Sequence, residues 1–220
     1  MTTLRTLKTI ALGTAIVFGA LLKAAPVEAR DMQTITVAGG CFWCVESDFE
    51  RVPGVSEVTS GYTGGTTDNP SYGDVTGGNT GHYEAVEIRF DRDQITERQI
   101  YDLFFRSIDP LDAGGQFCDR GNSYRTAIFV SSQAQLDAAN ASKAAAEAAL
   151  GQQIVTPILQ ASEFFEAERY HQNYYRGQNI VLTRAGPQTQ ANAYKFYREA
   201  CGRDERIEQL WGPNAPFLTN

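Results

Sequence analysis

The chain has 220 residues, of which 42% are hydrophobic and 20% charged, with a formal charge of −7. That composition is ordinary for a globular domain large enough to bury its own core. An acidic balance without a stripe of Lys and Arg excludes a nucleic-acid partner, because phosphate binding needs clustered cations.

The chain opens with Arg5 and Lys8, a short apolar run from Ile10 to Leu22, and small residues at Val27 and Ala29. This order is that of a secretory leader cleaved after Ala29, so residues 1–29 are expected to be a signal peptide and 30–220 one domain, exported and periplasmic. The run is too short for a spanning helix, which needs about 20 apolar residues. An uncleaved anchor is the alternative, and no stable membrane partner is expected. The mature chain keeps only Met32 as methionine.

Thr34–Gly40 alternates, is β-branched and ends on paired glycines, which predicts a strand. "CFWCVESDFERV" follows with Val45, Phe49 and Val52 at helical spacing, stopped by Pro53-Gly54. A second strand begins at Val55 and runs into a glycine-rich loop, and 66–81 is a long loop of small and turn-forming residues. "HYEAVEIRFD" alternates, with Glu84 opening its apolar row of Val86, Ile88 and Phe90. "TERQIYDLFFRSI" predicts an amphipathic helix with Thr96 as N-cap. A second long loop, 109–124, leads to the strand "RTAIFVSS". An alanine-rich helix then ends at Gly151, and an edge strand carries Pro157. "SEFFEAERYHQNYYRGQ" is expected to be partly helical, and the tail from Ile180 to Asn220 to hold one short helix near Ala191–Ala200. The order β-α-β-β-α-β-α-β predicts an α+β domain with helices layered on a mixed sheet.

Four cysteines, Cys41, Cys44, Cys118 and Cys201, mark the chemistry. Cys41 stands where a strand hands over to a helix. Free N–H groups and the positive end of the helix dipole favour its thiolate, lowering a thiol from ~8.5 into roughly 3.5–7.5. Cys44 is one turn on, about 5–6 Å away between Cβ atoms, within reach of a labile disulfide after local unwinding. Phe42 and Trp43 at this corner suit a pocket for a methyl or thioether group, with ordinary core packing as the plain alternative. Glu84 on an apolar face is expected to hold its proton and to act as a donor. Tyr62, Asp119 and Tyr124 stand on neighbouring loops, where tyrosine hydroxyls can hold a polar oxygen. His82 and His171 read as structural, and no metal-binding spacing is present.

"GCFWCVE", "GYTGG", "GHYEAV", "DRGNSYR" and "AERYHQNYY", in this order, resemble the peptide methionine sulfoxide reductase A family over about residues 34–175. The resemblance implies an α+β roll with a ferredoxin-like βαβ core. It implies that Cys41 attacks the sulfoxide sulfur, that Phe42 and Trp43 hold the methyl group and that Glu84 protonates the oxygen. It further implies that Tyr62 and Tyr124 bind that oxygen, with Asp119 in support. The resulting sulfenic acid condenses with a second thiol and an external dithiol restores the enzyme. Cys44 is favoured as the resolving residue by proximity; Cys201 is second, and Cys118 competes. The resemblance also implies the S epimer, free or in proteins and peptides, no bound cofactor, a thioredoxin-like reductant and a monomer. Two readings compete: a disulfide exchanger built on Cys41-x-x-Cys44, and a binding module stapled by Cys41–Cys44 and Cys118–Cys201.

Overall fold

The computed structural model describes residues 30–218. The expected leader, 1–29, lies outside the described residues. Strand β1 (Met32–Gly39) leads into helix α1 (Phe42–Phe49), then β2 (Val55–Thr63), a short helix α2 (Tyr72–Thr76), β3 (Tyr83–Asp91) and α3 (Glu97–Phe105). A two-residue hairpin, β4 (Gly115–Gln116) with β5 (Asp119–Arg120), occupies the second long loop. Then come β6 (Thr126–Val130), α4 (Gln133–Leu150), β7 (Ile158–Gln160), β8 (Phe165–Glu166), the hairpin β9 (Ile180–Thr183) and β10 (Gly186–Thr189), α5 (Gln190–Ala200) and α6 (Arg203–Trp211).

The main sheet has the order β7-β6-β1-β3-β2-β8. β1 and β2 both pair antiparallel to β3, which lies between them, and β3 and β6 both pair antiparallel to β1. Two split β-α-β crossovers therefore interlock, the ferredoxin-like arrangement expected from the element order. Their helices α1 and α3 cover one face, where Val37, Val45, Phe49, Val86, Ile88 and Phe104 pack into the main core. β7 is a parallel edge strand beside β6, as Pro157 anticipated.

Three segments depart from expectation. Helix α1 stops at Phe49, because the residue before Pro53 is pushed out of the helical region. The segment 162–178 is not a helix among its described residues but a two-residue strand and one 3-10 turn. Its Gln172 accepts from the Ser60 N–H at 3.0 Å and donates to the Ser60 carbonyl at 2.8 Å, so an amide side chain takes the place of a strand on β2. The tail holds a hairpin and two helices rather than one helix. No described helix is long and apolar enough to cross a membrane.

Candidate active site

Gly39 and Gly40 deliver the chain from β1 to α1. Gly40 has φ +80°, and a Cβ there would lie 2.5 Å from the Gln116 Cβ. That conformation and that close approach both require glycine. Cys41 then occupies the N-cap of α1 without a capping side-chain hydrogen bond. The cap is supplied from β3: the Phe42 N–H donates to Glu84 Oε2 at 3.1 Å. A carboxyl thus sits at the positive end of α1, one residue from Cys41.

Glu84 is 1% exposed. Burial pushes its carboxyl up to about 8, against the hydrogen bond from Phe42. It is a protonated acid at neutral pH, as expected from its place on an apolar face.

The two sulfurs of α1 behave as a pair. Cys44 is buried and Cys41 half-buried. Their mutual hydrogen bond lowers Cys44 to about 7, helped by the charges of Arg203 and Arg198. The same bond, with burial and the nearby Glu84 and Asp119 carboxyls, holds Cys41 well above its usual value. This reverses the expected direction for Cys41. Alone at a helix N-terminus it would be the ionised sulfur; beside Cys44, two adjacent sulfurs cannot both be charged, and the first charge settles nearer the buried arginines.

A cavity of about 500 Å³ opens over this pair. Phe42, Trp43, Glu84, Asp119 and Tyr124 line it, which brings together most of the residues expected to meet. Burial raises the Asp119 carboxyl and the Tyr124 hydroxyl. Trp43 stacks flat on Tyr174 with ring centroids 3.6 Å apart, and its indole N–H donates to His171 Nδ1 at 3.1 Å. Accepting there puts the His171 proton on Nε2, and burial drops the ring to about 4, so it is neutral. His82 ties the glycine loop to β3: its Nδ1 accepts from the Gly65 N–H at 3.1 Å, and its Nε2 lies 2.8 Å from the Thr67 carbonyl oxygen. Both histidines thus sit in positioning hydrogen bonds.

Tyr62 is not on the cavity wall. It is fully buried on β2, and its hydroxyl donates to Glu168 Oε2 at 2.8 Å. Tyr72 takes the place expected for it. It lines the cavity and shares a hydrogen bond with Tyr124, while its N–H donates to Glu168 Oε1 at 2.8 Å. Tyr72 lies in the long loop 66–81. The available signal was Ser71-x-x-Asp74, a capping box that starts α2 at Tyr72.

The C-terminal segment supplies wall residues that sequence reasoning missed: Arg184 from the β9–β10 turn, and Tyr194, Tyr197, Arg198 and Arg203 from α5 and α6. Arg198 donates to Asp48 Oδ1 on α1 at 2.9 Å, and Arg203 Nη2 donates to the Ser107 carbonyl at 2.7 Å. Cys118 and Cys201 are joined in a disulfide, with Cα atoms 4.9 Å apart, and both line the same cavity. Half of the stapled arrangement is thus present, while Cys41 and Cys44 are free. Among the described residues, one cluster has the donor types of a metal site: Cys118, Asp119 and Cys201. Its two sulfurs are bonded to each other, so the set does not fit a metal in this state.

Residues 33–207 match the family profile described as peptide methionine sulfoxide reductase. The chain is 45% identical over 190 residues to "Peptide methionine sulfoxide reductase MsrA 2" of Rhizobium meliloti (strain 1021), covering 86% of this chain and 89% of the relative. It is also 45% identical over 179 residues to the MsrA of Bacillus subtilis (strain 168), covering 80% and 94%. Among solved structures, reduced Mxr1 from Saccharomyces cerevisiae is similar at TM-score 0.62 and 33% identity, over 65% of this chain and 83% of that one. Methionine sulfoxide reductase A of Corynebacterium diphtheriae is similar at TM-score 0.59 and 28% identity, over 71% and 84%.

Proposed function

We propose, for a chain that belongs to the peptide methionine sulfoxide reductase family and reduces methionine sulfoxide, a division of labour among the residues of this cavity. Cys41 attacks the sulfoxide sulfur while Glu84 protonates the oxygen. The single observation that carries this reading is the 3.1 Å bond from Phe42 N–H to Glu84, which holds the buried carboxyl one residue from Cys41 and so supports the two acting on one S=O group.

The paired sulfurs refine the first step. Cys44 thiolate takes the Cys41 proton as Cys41 attacks, so one charge serves both residues. The oxygen passes from the substrate sulfur to Cys41, methionine leaves, and Cys41 becomes a sulfenic acid. Cys44, now a thiol, condenses with it, releasing water and forming the Cys41–Cys44 disulfide. A thioredoxin-like dithiol reduces that disulfide and is itself oxidised. Phe42 and Trp43 hold the substrate methyl group, and Tyr72 and Tyr124 hold the oxygen with Asp119 nearby. The substrate is the S epimer, free or in polypeptides, and the site is complete within one chain, in keeping with a monomer.

The test is methionine formed per enzyme by Cys41→Ser, Cys44→Ser and Cys201→Ser, with a thioredoxin-like dithiol or with dithiothreitol. Cys41→Ser is expected to form none. Cys44→Ser is expected to stop after about one turnover with the protein dithiol and to cycle with dithiothreitol, since a small thiol reaches the sulfenic acid directly. Cys201→Ser is expected to cycle with both. Sustained cycling of Cys44→Ser on the protein dithiol overturns the assignment. The order of charge, apolar run and small residues in 1–29 supports export to the periplasm, which N-terminal sequencing of the secreted protein checks.

A further inference from the structure

Five large apolar residues are exposed among the described residues, and two of them share one face of one strand. On β9, Ile180 is 69% and Leu182 83% exposed. The intervening Val181 packs with Tyr174, Ala193 and Tyr194, and Thr183 is buried. Period two along the strand therefore sends Ile180 and Leu182 outward, and Arg184 opens the turn into which the strand runs. Arg184 lines the catalytic cavity and forms no ion pair among the described residues. The row is thus a ledge that starts in water, carries two bare aliphatic side chains and ends with an unpartnered cation at the mouth of the site. The strand also pairs on one side only, with β10, among the described residues. Alternate backbone N–H and C=O groups of such a strand face away from its partner and remain open to another extended chain. Phe196, a third exposed apolar residue, lies on the next helix against Tyr197, which is itself a cavity residue.

We propose that this outward face of the β9–β10 hairpin is the docking ledge for an oxidised polypeptide in extended conformation. Its apolar side chains lie on Ile180 and Leu182, an acidic residue nearer the sulfoxide meets Arg184, and the oxidised methionine enters the cavity. The proposal rests on the sulfoxide reductase reading. Its physical logic is continuity. Residues two apart on a strand are about 6.7 Å apart, so an extended substrate repeats the spacing of the ledge. An exposed apolar strand face whose following turn residue lines the catalytic cavity is a liability unless it is covered in use. Segments rich in apolar residues are extended and accessible in unfolded chains and buried in folded ones. The ledge therefore selects methionine sulfoxide in unfolded protein over the same group on a folded surface.

The experiment uses the full chain with Ile180→Ser and Leu182→Ser combined. Both side chains are exposed, so folding is not at stake. Three substrates are compared: free methionine sulfoxide, a short peptide with its sulfoxide flanked by Val, Leu and Glu, and a peptide of equal length flanked by Gly and Ser. The expected result is a fall of about tenfold in kcat/KM on the apolar peptide alone, carried by KM. Arg184→Glu is expected to reverse the preference between peptides with Glu or Lys beside the sulfoxide. Equal kcat/KM for the double variant and the parent on the apolar peptide overturns the proposal. So does a uniform loss on all three substrates, or a rise confined to the KM for the thioredoxin-like reductant. Failure of the parent chain to reduce free methionine sulfoxide defeats the reductase reading instead.

Discussion

At the scale of single residues, the site turns on where two protons reside. Glu84 keeps its proton up to about 8, and Cys44 loses its own near 7. The donor is lost as pH rises through 8, and the sulfur charge is lost as pH falls through 7. The kcat/KM profile on methionine sulfoxide is therefore expected to be a bell between these macroscopic values. In Glu84→Gln the rate falls by at least about 100-fold, and the alkaline limb disappears while the acidic limb stays. A profile that keeps its limb near pH 8 in this variant removes Glu84 from the acid role. The two tyrosines separate as cleanly. Tyr72→Phe is expected to lower kcat about tenfold with stability unchanged. Tyr62→Phe leaves Glu168 short of a donor and is expected to lose about 1–2 kcal/mol of stability with kcat/KM intact. Kinetics and denaturant melts on the two variants decide this.

At the scale of elements, helix α1 is tied down by its own acids. Glu46 is fully buried, accepting from the Asn173 N–H at 2.6 Å and from the Ser60 hydroxyl at 3.1 Å. Burial raises its carboxyl from 4.5 to about 7. The folded pKa exceeds the unfolded one, so the folded state holds a proton that the unfolded state releases between those values. Stability is expected to fall as pH rises from 4.5 to 7, by up to roughly 3 kcal/mol from this group. Glu46→Gln should flatten that slope in urea melts at successive pH values, and an unchanged slope assigns it elsewhere. Much of this element level was legible in the chain. The Cys41 corner, the Val45–Phe49 helical spacing and the apolar row from Glu84 are local patterns. The place of Gln172 and the hairpin β9–β10 were not, because the first is held by a contact across 112 residues and the second is a two-strand unit with little alternation.

At the scale of the whole molecule, the C-terminal helices are bound to the front half of the fold. Asp48 on α1 is paired with Arg198, and the Cys118–Cys201 bond closes a loop of sequence separation 83. Cross-linking a loop of that length contributes about 4.5 kcal/mol on the chain-entropy account. Cys118→Ser is expected to lower the oxidised protein's melting temperature by about 10 °C, and dithiothreitol should then have little further effect. Equal melting temperatures for oxidised parent and variant contradict this.

The chain by itself determined the α+β order, the family and the position of Cys41, Phe42, Trp43 and Glu84, because each depends on neighbours within a few residues of sequence. Tertiary structure alone decided that Tyr72, and not Tyr62, faces the cavity, that Cys44 is the lower of the two thiols, and that Cys118 meets Cys201. Each of these turns on which group arrives in space: Glu168 for the tyrosines, the Cys41 hydrogen bond and then the charges of Arg203 and Arg198 for the sulfur, and the α5–α6 corner for the disulfide. Charge, burial and bonding act through space, and spacing along a sequence does not say which partners space will supply.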